Sequence, residues 1–278
     1  MEGKAGQLSD KWSGKADMKV ALAQTNIIWE DKTANETIAI DYISQASKMG
    51  AQGIFFPEMS LTGFSMNTQI TAERERETIN KFCQIAGKYQ IAIGIGWTKQ
   101  GENLAENHYS VIDKYGQVIS DYTKIHPFSY ADEDKFFASG SEITNFTLGG
   151  YHWSNFICYD LRFPELFQIA SETAEIILVP ANWPQKREKH WKCLLQARAI
   201  ESQSYILAIN CVGTINNIEY SGHSCCISPY GELLDTLAGR QGLVMVDLQE
   251  DVKKLRKEFP IKRDRKWEFY VSQYRRKK

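Results

Sequence analysis

Three residues of the chain share a placement and complementary chemistry. Glu58 follows the apolar run Ile54-Phe55-Phe56-Pro57, Lys124 follows QVISDYT, and Cys158 follows SNFI, so each stands at the C-terminal end of a run that reads as a strand. Taken singly, each has a plain structural role: a turn carboxylate, a solvated cation and a core thiol. Together they supply what thiol-based cleavage of a C–N bond requires. The cysteine is a nucleophile, the carboxylate can take its proton and return it to a leaving amine, and the ammonium offers fixed positive charge to an oxyanion. In open α/β sheets, sites form at the carboxyl ends of strands. The stretch SNFICYDLRFPE turns at once from strand towards helix. A thiol there is expected at the positive end of a helix macrodipole, which favours the thiolate.

The elements that must position this trio are legible as alternating apolar runs and amphipathic stretches. MKVALAQTN (18–26), GIFFPE (53–58), IAIGIGW (91–97), ENHYSVID (106–113) and QVISDYTK (117–124) read as strands in the first half. EIILVPAN (175–182), YILAINCVG (205–213), SCCISP and LVMVDL read so in the second. Helices are expected between them. One runs over 33–49 with Ile38, Ile43 and Ala46 on one face and Gly50 as a stop, another over 71–89, and a third over 187–203 with Trp191, Leu194, Leu195 and Ala199 on a stripe. Residues 125–144 carry many charges and little periodicity, which predicts a long functional loop holding Glu133. Strands with helices between them in both halves, and no low-complexity linker, indicate one α/β domain of two similar halves.

Composition narrows the function. Lys and Arg total 33 against 34 Asp and Glu, a net charge of -1 that points to neither nucleic acid nor a membrane surface. No apolar run approaches the roughly 20 residues of a membrane span, and 43% apolar residues suffice for a large core. Cys83, Cys158, Cys193, Cys211, Cys225 and Cys226 form no C-x-x-C pair and no short spacing to histidine, so no metal or cofactor is expected and a reducing cytoplasm fits. No G-x-S-x-G occurs, GIGWTK lacks the third glycine of a dinucleotide turn, and no histidine sits in a motif of the papain type. The polar first stretch, 1–17, reads as a disordered extension, 18–262 as the domain, and 263–278 as a basic, solvated or partner-contacting tail.

FFPEMSLTGF, YTKIHPF and ICYDLRFPE, in this order, resemble the Glu-Lys-Cys signature of the nitrilase (carbon–nitrogen hydrolase) superfamily, a resemblance running from about Met18 to Asp247. It implies a four-layer α-β-β-α sandwich of two mixed sheets, with homodimers or larger oligomers formed through the helices of one face. It implies that Cys158 attacks the carbonyl, that Glu58 shuttles the proton, and that Lys124 and the Tyr159 backbone N–H hold the oxyanion. Glu133 falls where a second glutamate orients the lysine and the attacking water. Within the superfamily, the stretch from VPANWPQKREKHW to YILAIN, with YSGHS, resembles the omega-amidase branch, which removes ammonia from small dicarboxylic monoamides such as 2-oxoglutaramate. Asn182 and Trp183 are then expected to line the pocket. Arg162 has two readings, a clamp for a substrate carboxylate or a brace paired with Asp160 and Glu165. A nitrilase, an N-carbamoyl amidase, and a catalytically idle interaction module of the same fold are the alternatives.

Overall fold

In the first strand, β1 (Met18–Gln24), alternate side chains go to two different cores. Val20 and Leu22 join the cluster that contains Trp153, Phe156 and Ile206, whereas Ala21 and Ala23 join the helical residues Ala39, Ile43 and Phe82. A strand buried on both faces reads as a continuous apolar run, which is why periodicity alone marks it so clearly. The computed structural model describes residues 18–249 and 251–276. The extension expected over 1–17 lies outside the described residues.

The first half continues through α1 (Lys32–Lys48), β2 (Gly53–Phe55), α2 (Thr68–Thr71), α3 (Glu77–Tyr89), β3 (Ala92–Lys99), β4 (Ala105–Ile112) and β5 (Val118–Thr123). After the short β6 (Phe137–Ala138), the second half runs β7 (Asn145–Leu148), β8 (Tyr151–Asn155), α4 (Pro164–Ala170), β9 (Ile176–Ala181), α5 (Glu188–Ser202) and β10 (Tyr205–Asn210). It ends with β11 (Val212–Ile215), β12 (Ile218–Ile227), β13 (Leu233–Ala238) and β14 (Gly242–Leu248), followed by α6 (Val252–Glu258) and α7 (Trp267–Arg275).

Two seven-stranded mixed sheets result, β14-β1-β2-β3-β4-β5 with β6 beside β4, and β11-β12-β10-β9-β8-β7 with β13 beside β12. The halves match in topology. Parallel β1-β2-β3, crossed over by α1 and α3, correspond to parallel β8-β9-β10, crossed over by α4 and α5. An antiparallel strand flanks each trio on either side, β14 and β4 in one sheet, β7 and β12 in the other. The sheets pack face to face: Phe55 meets Trp153 at 5.5 Å between ring centroids, and Tyr122 meets Phe156 edge-on at 5.8 Å. Helices α1 and α3 cover the outer face of one sheet and α4 and α5 that of the other, giving the expected α-β-β-α layers.

The helix stripes need adjustment. In α1 the buried face is Asn35, Ala39, Ile43 and Ala46, with Ile38 only half-buried. The cause is Asn35, whose amide donates to Ile28 O at 2.6 Å and Leu61 O at 2.8 Å and so ties the loops at both ends of the layer. In α5 the polar Arg198 replaces Leu194 inside, donating to Leu161 O through Nε at 3.0 Å and Nη2 at 2.8 Å. The expected tail from residue 263 is also ordered differently. Arg265 donates to Gln168 and lies over Trp267, and Tyr274 donates to Glu165 at 2.9 Å, so α7 rests along α4. Among the described residues no helix is long and apolar enough to cross a membrane.

Candidate active site

The edge where β2, β5, β8 and β9 all end brings the expected residues together. β5 runs parallel to β2, because two antiparallel pairings, β3 with β4 and β4 with β5, separate it from the parallel trio. Lys124 therefore emerges at the same edge as Glu58. Its Nζ donates to Glu58 Oε1 at 2.8 Å and to Glu133 Oε2 at 2.8 Å, and all three side chains are shut away from solvent. Phe128 N donates to Glu133 Oε2 at 2.5 Å, fixing the loop carboxylate from its own turn. Glu58 is held further by Asn182 N, which donates to Oε2 at 3.0 Å. The turn that carries it lies against Gly96, where an added Cβ would stand 2.5 Å from Met59 N, so only glycine permits this approach. The glycines of GIGW serve packing behind the carboxylate.

Burial by itself would lower the Lys124 ammonium, but the charges of Glu133 and Glu58 outweigh it and hold it above the ordinary lysine range. Burial pushes the Glu133 carboxyl up, against the pull of Lys124. Asn107, absent from the sequence reading, completes this floor. Its Nδ2 bridges Glu58 Oε1 at 2.9 Å and Glu133 Oε1 at 3.1 Å, repeating with an amide the contacts Lys124 makes with a charge. Asn107 lies near the start of β4, opposite Lys124, whose N donates to Asn107 O at 2.9 Å. Because β4 is antiparallel, its N-terminal end shares the edge with the C-terminal ends of the others. A search confined to strand ends of one polarity passes over it.

Cys158 opens a five-residue 3-10 turn, Cys158–Arg162, and α4 begins only at Pro164. The expected helix macrodipole thus does not act at the thiol. Burial, then the Glu58 charge, push the Cys158 thiol well above the ordinary cysteine range, with Lys124 pulling the other way, and Sγ lies 3.9 Å from Asn182 O, to which it can donate. Cys158 is held at φ 47°, a left-handed backbone uncommon outside glycine. Asp160 anchors this bend, accepting from Tyr122 Oη at 2.8 Å, Ile157 N at 3.0 Å and His126 N at 2.9 Å.

The thiol opens into a cavity of about 100 Å³ whose lining includes Lys124, Tyr159, Arg162, Asn182 and Trp183, together with Phe64, Phe128, Arg187, Ile218 and Tyr220. Every residue expected at the pocket is therefore in its wall or directly behind it. Asn182 also orients Glu58, donating through Nδ2 to Glu58 O at 2.7 Å. Trp183 is fixed by Asn210 Oδ1, which accepts from its backbone N at 2.7 Å. The brace reading of Arg162 fails: Asp160 is committed to Tyr122 and His126, Glu165 to Tyr274, and it is Arg198 that ties the turn down. Arg162 instead lies 4.8 Å over the Trp183 ring, half-buried in the cavity wall. Phe128, Arg187 and Tyr220 are not singled out by the sequence. Phe128 and Arg187 reach the cavity from loop turns and Tyr220 from β12, although Arg187 and Tyr220 lie inside the stretches that carry the resemblance to the omega-amidase branch. Among the described residues no group of three or more His, Cys, Asp or Glu is arranged to hold a metal.

Residues 19–257 match the family model described as carbon–nitrogen hydrolase. The chain is 33% identical over 257 residues to a Bacillus subtilis (strain 168) protein named 2-oxoglutaramate amidase, covering 90% of this chain and 98% of that one. It is 30% identical over 254 residues to the protein named omega-amidase YafV of Escherichia coli (strain K12), covering 89% and 96%. Its fold matches a mutant of the Nesterenkonia AN1 amidase from the nitrilase superfamily with a TM-score of 0.85, at 25% identity over 92% of this chain and 97% of that one. With its two mixed sheets and the trio gathered where they end, this chain belongs to the carbon–nitrogen hydrolase family.

Proposed function

We propose that the protein is a cysteine-dependent amidase of the omega-amidase type, hydrolysing the terminal amide of a small carboxylic acid such as 2-oxoglutaramate to the acid and ammonia. The observation that carries this reading is the shared cavity, in which the Cys158 thiol, the Lys124 ammonium and the Arg162 guanidinium line one small, largely aromatic chamber. The names of the relatives point to the same substrates.

Cys158 Sγ attacks the amide carbon and its proton passes to Glu58. The carbonyl oxygen, now an oxyanion, is received by Lys124 Nζ and the Tyr159 backbone N–H. Collapse of the tetrahedral intermediate breaks the C–N bond, the proton on Glu58 leaves with ammonia, and a thioester remains. Water, oriented by Glu133, then attacks the thioester carbon while Glu58 takes its proton. The acid departs and the proton returns to the thiolate. The raised thiol of Cys158 suits this sequence, because proton transfer to Glu58 accompanies attack and no free thiolate need accumulate. Asn182 Oδ1, buried and without a hydrogen-bond partner among the described residues, is the acceptor available to the substrate amide N–H.

Ammonia release measured across 2-oxoglutaramate, 2-oxosuccinamate, glutamine, a simple nitrile and an N-carbamoyl amino acid tests the reading. The two oxo-amides should be preferred, and activity confined to the last two compounds would reject it. Cys158→Ala should abolish release with the fold intact, and turnover retained in that variant would remove the thiol from the mechanism.

A further inference from the structure

Two guanidinium groups stand in the cavity wall without an acid to neutralise them. Arg162 ends the turn that begins at Cys158, and Arg187 ends the 3-10 turn Gln185–Arg187 that leads into α5. Each is laid on aromatic faces, Arg162 at 4.8 Å from the Trp183 ring and 5.8 Å from that of Tyr159, Arg187 at 5.1 Å from Phe128 and 5.9 Å from Tyr130. A guanidinium supported through its face keeps edge N–H donors for a planar, bidentate anion, although Arg162 already directs Nη2 to His190 Nδ1 at 3.3 Å. The acids nearby are engaged elsewhere. Glu188, adjacent to Arg187 in sequence, pairs with Lys192 at 2.5 Å and His223 at 3.1 Å. Glu219, which shares with Arg187 the groove outside the cavity, makes no ion pair with it among the described residues. After burial, the charge of Arg187 is one of the influences that press the Arg162 guanidinium below its ordinary range, so the two cations sense each other. Like charges held together without a counterion are relieved by an incoming anion.

We propose that Arg162 and Arg187 act as a two-armed carboxylate grip, making Arg187 a specificity-determining residue that selects amides carrying a carboxylate remote from the scissile group. This rests on the amidase reading of Cys158 and adds to it the charge of the substrate. Lys124 and Cys158 serve any amide. The arginines serve only an anionic one, and the loop arginine supplies the second arm that the turn after the nucleophile lacks.

Two measurements decide it. In the full-length Cys158→Ala protein, calorimetric titration with glutarate should give a dissociation constant that Arg187→Met weakens by roughly 10- to 100-fold, the range for hydrogen bonds to a charged group. Arg187→Lys, which keeps the charge and loses the fork, should fall between. In the active protein, Arg187→Met should lower the ratio of kcat/KM for 2-oxoglutaramate to kcat/KM for butyramide by a similar factor, mostly through KM of the acid. The Arg187→Gln variant offers the same comparison should the methionine variant misfold. Unchanged glutarate affinity, or an unchanged ratio, would overturn the grip and leave Arg187 as packing for Phe128. Failure of the unsubstituted protein to release ammonia from any amide would instead defeat the amidase reading, while the glutarate titration would still decide the grip.

Discussion

The floor and the mouth of the cavity are both charged, yet they are built in opposite ways. On the floor, Glu58, Glu133, Lys124 and Asn107 are excluded from solvent and each is bound to at least two of the others. At the mouth, Arg162 and Arg187 are half-buried, rest on rings, and pair with no carboxylate among the described residues. A closed network of buried charges fixes geometry, which a chemical step needs. Cations without a carboxylate partner have donors to offer a ligand, although Arg162 Nη2 also lies 3.3 Å from His190 Nδ1. The difference separates what sets the reaction from what sets the substrate.

Breaking the floor should therefore cost both fold and rate. Lys124→Ala leaves two buried carboxylates facing each other. We expect a loss of about 3–5 kcal/mol in urea unfolding, the usual result of orphaning a buried charge. Turnover should fall at least about 100-fold, as for a deleted oxyanion donor. Arg162→Ala, at the mouth, should cost only about 1 kcal/mol or less, since no ion pair is broken. Equal destabilisation by the two substitutions would erase the contrast.

Asn107→Ala tests whether the amide belongs to the floor in its own right. One donor bridging two carboxylates is lost while the Lys124 charge stays. We expect kcat to drop about 10-fold, in line with the loss of a hydrogen bond to a charged group, with KM nearly constant and the pH profile of kcat displaced. A change in KM alone would assign Asn107 to packing behind the site.

The same contrast explains what the sequence reveals. Glu58 and Cys158 are legible because each terminates an apolar run, and a strand buried on both faces has sharp ends in sequence; Lys124 is legible because it follows the alternating strand Val118–Thr123. Those runs, with helices between them, mark one α/β domain, whereas the α-β-β-α layering comes only from the resemblance to a family. Glu133 lies in an aperiodic loop and is reached only through the resemblance to a family. Asn107 is hidden at the start of an antiparallel strand, and Arg187 and Phe128 at positions whose meaning depends on how loops fold over the sheet edge. The macrodipole expectation fails for a related reason: RFPE signals a helix start at Pro164, and nothing local to Cys158 distinguishes a 3-10 turn from the first turn of a helix.

The smallest effect concerns Cys158 before substrate arrives. Its thiol lies well above the ordinary range through burial first and the Glu58 charge second. A raised thiol is protonated below its own pKa, so the reactive thiolate grows only as pH climbs into the alkaline range. Cys193, exposed on α5, provides an internal standard for a small neutral alkylating reagent. The ratio of Cys158 to Cys193 labelling, read by peptide mass spectrometry, should rise with pH. Glu58→Gln removes one upward push and leaves the Lys124 charge, so labelling of Cys158 near neutral pH should increase severalfold even as ammonia release is lost. Opposite signs for labelling and turnover would separate the electrostatic work of the floor from its proton transfer. A fall in both would mean that Glu58 draws the proton from Cys158 even without substrate, and that its role as a base outweighs its charge.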